Sequence, residues 1–212
     1  MSINTKRNSS MTKRGRPRNF DRSAALQKAM EVFWAQGFDC TSMPDLINAM
    51  KINSPSIYAA FGSKEKLFHE AVELYSATEG GRIWGTMTTE PTARLAIKAM
   101  LRASAEEFTR SNKPRGCLIV LGALHAEGGN EAIRRALQER RAQCMTVLHS
   151  RLERGVSDGE LPNGPDWREI ATFYTVIQQG MSIQARDGAS RKDLLAVADY
   201  AMAAWDGIIS CA

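Results

Sequence analysis

Apolar residues return every three or four positions along most of the chain, the spacing that gathers them on one face of an α-helix. No stretch alternates apolar and polar residues as a half-buried strand would, and no internal repeat appears. Leu26, Met30 and Phe33 form the first stripe, with Asn19 or Asp21 placed to cap it and Gly37 to stop it. Two short segments follow. In the first, Thr41 or Ser42 caps, Pro44 falls early in the first turn, Asp45 suits the helix dipole, and Leu46, Ile47 and Met50 share a face. The second opens at Asn53 or Ser54, with Pro55 next, and buries Ile57 and part of Tyr58. A third start at Ser63 leads into a helix to about residue 80, carrying Leu67, Phe68, Val72 and Tyr75.

Beyond it, Gly80, Gly81 and Gly85 break or loosen the chain before Pro91. The pattern then predicts a helix over 92–109, a turn over 111–116, and a short helix over 117–126 that is apolar all round and therefore buried. Asn130 caps a long helix through Ile133, Leu137, Cys144, Leu148 and Leu152, ending at Arg154-Gly155. After a loop over 156–165 come two final helices, 166–185 and 191–209. Both carry apolar residues on more than one face. Gly180, Ala196, Ala203 and Ala204 permit close helix approach, so one face serves the subunit core and the other a homodimer through these last two helices. The fold class is all-α. A basic arm (1–18) precedes an N-terminal three-helix helix-turn-helix domain for binding DNA (19–75), and a C-terminal helical domain for ligand binding and dimerisation (76–212) completes the chain.

Two short capped helices joined by a tight turn are how a major-groove reader is written. The second would present Asn53, Ser54, Ser56 and Tyr58, small polar groups and a phenol that reach base edges and phosphates without holding the helix out of the groove. Thr41 and Ser42 at the first helix start, Lys51 in the turn and Lys64 at the next helix start are placed for phosphates. Thr41, Ser42, Leu46, Pro55, Tyr58, Phe61, Lys64, Glu65 and Leu67 stand in the order and spacing of the TetR family of transcriptional regulators, which the chain resembles. GCLIV at 116–120, GELP at 159–162 and QGMSIQARDGAS at 179–190 are similar to its ComR-like, copper-responsive branch. The resemblance implies a repressor released from a double-stranded, pseudo-palindromic operator by a small-molecule inducer whose identity the residues do not name. The family usually has Gly where Lys51 stands, and a left-handed turn would cost a residue with a Cβ about 1 kcal/mol.

Charge sharpens this picture. The formal net charge is +5, while residues 1–20 hold Lys6, Arg7, Lys13, Arg14, Arg16 and Arg18 with no acidic residue, so the remainder carries −1. All excess positive charge lies in the arm, which suits a polyanion. Within it, Arg14-Gly15-Arg16-Pro17-Arg18 resembles an AT-hook: glycine admits the backbone to the minor groove, proline keeps it extended, and arginines match the narrow A·T potential. A solubilising tail is the alternative.

The longest apolar stretch, near 117–124, falls well short of the ~18 residues that a membrane span needs, and no apolar segment follows the basic arm as in a signal peptide. A cytoplasmic protein is expected. Cys40, Cys117, Cys144 and Cys211 show neither a disulfide framework nor zinc spacing. No nucleotide-binding, zinc-protease or nucleophile-elbow motif occurs, so no enzyme and no cofactor is expected. For the inducer, Trp84, Met87 and Phe108 offer candidate lining, as do Leu121, His125 and Met145, and Tyr174, Gln178 and Met181. Each can equally be core. Cys117, after Arg115-Gly116 at a helix start, is either an activated thiol or a small buried hydrophobe. A copper-binding alternative takes Cys117, His125, Cys144 and His149 together, and a ligand-free nucleoid-type DNA-binding protein is the remaining alternative.

Removing residues 1–18 is expected to flatten the dependence of DNA affinity on salt, by about 0.9 in log-log slope for each phosphate that the arm neutralises. Titrations at several ionic strengths measure it. Half-site preference should survive, and its loss would transfer base recognition from the helix to the arm.

Overall fold

A computed structural model describes residues 20–123 and 129–210, and among these every regular element is helical. The first domain comprises α1 (Arg22–Gln36), α2 (Met43–Met50), α3 (Ser54–Phe61) and α4 (Lys64–Ala77). It is followed by α5 (Glu79–Trp84), α6 (Thr86–Thr89), α7 (Ala93–Phe108) and α8 (Leu118–Leu121). The remainder is α9 (Glu131–Ser157), α10 (Trp167–Arg186), α11 (Arg191–Ala203) and α12 (Trp205–Ser210).

The caps explain the boundaries. Asp21 accepts from the amides of Ser23 and Ala24, and Asn53 from that of Ser56. Ser42 and Asp45 complete a reciprocal capping box, and Ser190 and Asp193 form another at α11. Asn130 caps α9 as expected, and Thr92, predicted as the first residue of its helix, caps α7 from just outside it.

Several boundaries differ from those the periodicity predicts. The helix from Ser63 stops at Ala77, and Gly80 and Gly81 then sit inside α5 instead of interrupting the chain. The apolar stretch from Cys117 is helical only over Leu118–Leu121, and the rest of its predicted span, 124–126, lies outside the described residues. The long helix continues past Gly155 to Ser157. Gly155 is buried there because the chain returns over it: its carbonyl accepts from Glu160 and Leu161 at 2.8 and 3.1 Å, and a Cβ would lie 2.9 Å from Leu161 Cδ1. Its role is close approach, not helix termination. Ala204 separates α11 from α12, where the pattern predicts one continuous helix.

Phe33, Phe38 and Phe68 close the core of the first domain, with Phe68 meeting the other two edge-on at 5.0 and 5.1 Å. Leu46, Ile57 and Phe61 bury α2 and α3 against it. Arg22 is held by both oxygens of Glu70 at 2.7 Å and lies 4.3 Å from the centroid of the Phe61 ring, tying the start of α1 to α3 and α4. In the second domain, Ile97, Met100, Leu101, Ala105 and Phe108 of α7 are wholly buried among α9, α10 and α11. The two cores join. Trp34 stacks edge-on against Tyr75 at 4.9 Å while its indole N–H donates to the Gly116 carbonyl at 3.0 Å.

Lys51 adopts φ 57°, ψ 34°, the left-handed conformation in which its amide donates to the Ile47 carbonyl at 3.0 Å. Among the described residues it is the sole non-glycine at positive φ. Lys51→Gly is therefore expected to raise stability by about 1 kcal/mol, since glycine adopts this conformation without the Cβ penalty, offset in part by its greater unfolded-state freedom. Thermal or urea unfolding measures this. A loss of stability would mean that the hydrogen bond from the Lys51 ammonium to the Asn48 side chain, 3.1 Å, outweighs the backbone strain.

Candidate nucleic-acid interface and regulatory cavity

The reading surface is built by burying one side of α3 and leaving the other free. Ile57 and Phe61 face the core, whereas Asn53 is exposed, Ser54 and Ser56 are half-buried, and Tyr58 is 47% exposed. Lys51 and Ser42 are also exposed, beside the same end of the α2–α3 pair. Thr41 departs from this set. It is buried, and its hydroxyl donates to the Gly37 carbonyl at 2.5 Å, so it supports the turn and leaves capping to Ser42. Lys64 is half-buried with its ammonium 4.2 Å from the centroid of the Phe38 ring, and burial lowers its pKa against the opposing charges of Asp39 and Glu65. A phosphate contact by Lys64 would have to compete with that ring. Arg14, Arg16 and Arg18 lie outside the described residues.

The second domain encloses a cavity of about 20 Å³, room for roughly one water. Tyr75 and Gly80 approach it from α4 and α5, and Ile83 and Trp84 form a wall from α5. Cys117, Ile119 and Val120 bound it along α8, Arg141 and Cys144 along α9, and Thr175, Gln178 and Gln179 along α10. Three of the sequence-predicted lining residues meet here, Trp84, Cys117 and Gln178. Met87, Phe108, Tyr174 and Met181 are buried elsewhere in the core, with the Tyr174 hydroxyl donating to the Ala201 carbonyl at 3.3 Å. Leu121 and Met145 are half-buried and packed against it, and His125 lies outside the described residues. Tyr75, Arg141 and Thr175 are lining residues that the sequence pattern does not single out. The hint for α10 is a polar series, Thr175, Gln178 and Ser182, within an otherwise apolar helix face.

Arg115 does not activate Cys117. Its guanidinium turns away to the end of α10, where Nε donates to the Ala185 carbonyl at 2.7 Å and Nη2 to that of Ala189. Burial pushes the Cys117 thiol up, opposed by hydrogen bonding from Tyr75 and by the more distant charge of Arg141. Cys144 is pushed up to about 12, again chiefly by burial. Thr175 Oγ1 is buried at the cavity with no hydrogen-bond partner. Arg141 donates to the Ile119 carbonyl at 2.9 Å, fixing its guanidinium at the rim. Of the four groups considered for copper, Cys117 and Cys144 share the cavity, while His149 pairs with Glu153 at 3.7 Å. No cluster of three or more potential ligands occurs among the described residues.

Residues 25–71 match the model of the bacterial regulatory proteins of the tetR family, and residues 91–200 match that of the tetracyclin repressor-like C-terminal domain. The HTH-type transcriptional repressor ComR of Escherichia coli K12 is 33% identical over 200 residues, spanning 92% of this chain and 94% of its own. This chain belongs to the TetR family. The repressor BdcR of the same organism is 27% identical over 188 residues, 88% of this chain and 90% of its own. A cysteine-substituted form of the TetR family regulator CifR, solved with 26-base-pair operator DNA, superposes with a TM-score of 0.87 at 43% identity. That match covers 90% of this chain and all of CifR's. As a TetR-family member the chain is a DNA-binding transcription regulator and not an enzyme, and no described helix is long and apolar enough to cross a membrane.

Thiol accessibility follows from this geometry. In the folded protein, iodoacetamide at neutral pH is expected to label exposed Cys40 before Cys117 and Cys144, with mass mapping as the readout. The raised thiols also favour the protonated folded state, so their contribution to stability is present below the ordinary thiol value of 9.0 and is lost as pH rises towards about 12. Cys144→Ala should reduce that alkaline loss in thermal melts. Faster labelling of Cys117 than of Cys40 would contradict the burial argument.

Proposed function

We propose that the protein is a homodimeric repressor that occupies a pseudo-palindromic operator through α2 and α3 and leaves it when a small molecule enters the second domain. The observation that carries this is the α3 surface: a capped helix N-terminus presenting Asn53, Ser56 and Tyr58 over a buried Ile57 anchor. The related repressors, and the CifR complex with operator DNA, support the DNA partner. In this division of labour residues 1–18 are the basic arm, 19–75 the reader, and 76–212 the sensing and dimerising domain.

Dimerisation is supported by apolar surface that the subunit does not cover. Val176 is 61% exposed and Tyr200 78%, and Phe173, Ile183 and Val197 are exposed on the same two helices, α10 and α11. A Cβ at Gly180 would meet nothing within 4 Å, leaving room for a partner helix. A single reader spans only a few base pairs, so two-fold pairing matches the length of an operator.

The inducer must make its own room. The cavity, about 20 Å³, is far below the ~300–1,000 Å³ of an ordinary ligand site, and one of its walls is Trp84 on α5, a six-residue helix that includes Gly80 and Gly81 and is followed by Gly85. Displacing the indole would open the space and move α5, which continues directly from α4. The required bias is modest, about 1–3 kcal/mol between DNA-bound and free states. A thiol- or copper-responsive version is favoured by one observation, the convergence of Cys117 and Cys144 on this cavity. A nucleoid-type role accounts for neither the buried cavity nor the uncovered face.

Tyr58→Ala should weaken binding to all duplexes alike, whereas Asn53→Ala or Ser56→Ala should change which bases are preferred, by about 1–3 kcal/mol at one position of each half-site. Selection from random duplexes followed by affinity titration separates the two classes. Selected duplexes without two-fold symmetry, or a protein that binds them as a monomer, would refute the dimeric reader.

A further inference from the structure

The carboxyl end of α1 has no basic residue in its last turn, and the adjoining Gly37 amide receives the Phe33 carbonyl at 2.8 Å but leaves those of Trp34 and Ala35 to a distant donor. They are received by a residue some 150 positions away. Arg186, in the last turn of α10, donates from Nη2 to the Trp34 carbonyl at 2.8 Å and from Nη1 to the Ala35 carbonyl at 2.9 Å. Its Nε donates to the carbonyl of Arg115 at 2.9 Å. One planar guanidinium thus joins the end of the reader's first helix, the segment before α8, and the end of α10. Arg115 returns the arrangement by donating to the Ala185 carbonyl at 2.7 Å, so each of the two arginines holds backbone beside the other.

Every hydrogen bond of Arg186 goes to a carbonyl, and a fork with fixed donor directions constrains orientation where a point charge would not. Gln178, Ser182 and Arg186 fall four residues apart, on one face of α10. Gln178 lines the cavity, Ser182 receives the Cys117 amide at 2.8 Å, and Arg186 reaches α1. The opposite side of this helix carries Val176 and Phe173, the surface proposed for the dimer.

We infer that Arg186 is a positioning residue for DNA recognition: its guanidinium sets the placement of each reader relative to the dimerisation helix, and so the half-site spacing that the protein accepts. This rests on the dimeric reader proposed above. It differs from a plain stabilising contact because it predicts a change in which operator geometry is bound, with the affinity of one reader for one half-site left intact.

The test compares the full-length wild type with R186M and R186K on three duplexes: one selected from random sequence by the wild type, the same duplex with one base pair inserted at its centre, and an isolated half-site. The insertion moves the half-sites apart by about 3.4 Å and rotates one against the other by roughly 35°. The wild type is expected to prefer the selected duplex by about tenfold or more, and R186M by less than about threefold, with half-site affinity held within about twofold. R186K keeps the charge without the fork and should fall between them. A wild-type ratio in R186M, or equal losses on all three duplexes, would overturn the assignment. If R186M does not fold, R186K decides, and a wild-type ratio there overturns it too. A wild type indifferent to the insertion overturns the dimeric reader and this inference with it, whereas discrimination retained by both variants overturns only the role of Arg186.

Discussion

The end of α1 is held by hydrogen bonds from the C-terminal domain. A helix leaves its last carbonyls without internal partners; the Gly37 amide takes that of Phe33, the part-buried Trp34 carbonyl would cost about 1–3 kcal/mol if left unpaired, and Ala35 is exposed. Here the second domain supplies the partners. Arg186 takes the carbonyls of Trp34 and Ala35, and the Gly122 carbonyl accepts from the Phe38 amide at 2.8 Å. Gly37, at φ 79°, lets the chain turn between them, and a Cβ there would lie 3.1 Å from the Gly122 oxygen. The Trp34 indole closes the joint on Gly116. The reader is thereby attached to the C-terminal domain through directional bonds as well as through apolar packing.

A second connection is ionic. Glu79, buried at the start of α5, is met by Arg110 at 2.8 Å, Lys113 at 3.5 Å and Arg82, while Lys113 also reaches Glu31 of α1 at 3.0 Å. A buried carboxylate is retained only with such partners, because removing one leaves charge in a poorly solvated place. The cluster therefore ties α5 to α1 and to the segment that follows α7. Trp84, five residues after Glu79 on the same short helix, is also a wall of the cavity. The cavity wall and the ion-pair cluster that reaches α1 thus sit on adjacent parts of one element.

The two halves handle polarity differently. At α3 the Asn53 side chain accepts from the Ser56 amide and holds the helix start in place, while Tyr58 faces solvent. Around the cavity polar groups face inward, where burial holds thiols protonated and leaves Thr175 Oγ1 without a partner. The first arrangement recognises a solvated polyanion with little rearrangement. The second leaves one buried hydroxyl, that of Thr175, unpaired at the cavity.

The sequence by itself determined what depends on neighbours within a few residues. The cap at Asn130, the caps at Thr41 or Ser42 and at Asn53 or Ser54, the helical stripes and the short α2–α3 pair with Asn53 and Tyr58 on its exposed side were legible, because spacing decides which face of a helix a residue occupies. The left-handed turn was legible through the family pattern, although Lys51 stands where glycine is usual. Only the tertiary structure decided matters of long-range partnership. It turned Thr41 inward and aimed Arg115 away from Cys117. It kept Gly155 inside α9, brought Tyr75, Arg141 and Thr175 to one cavity, and paired Arg186 with α1. Periodicity cannot foresee such pairings, since it records which side of a helix a group lies on but not which distant backbone atom will need a donor there.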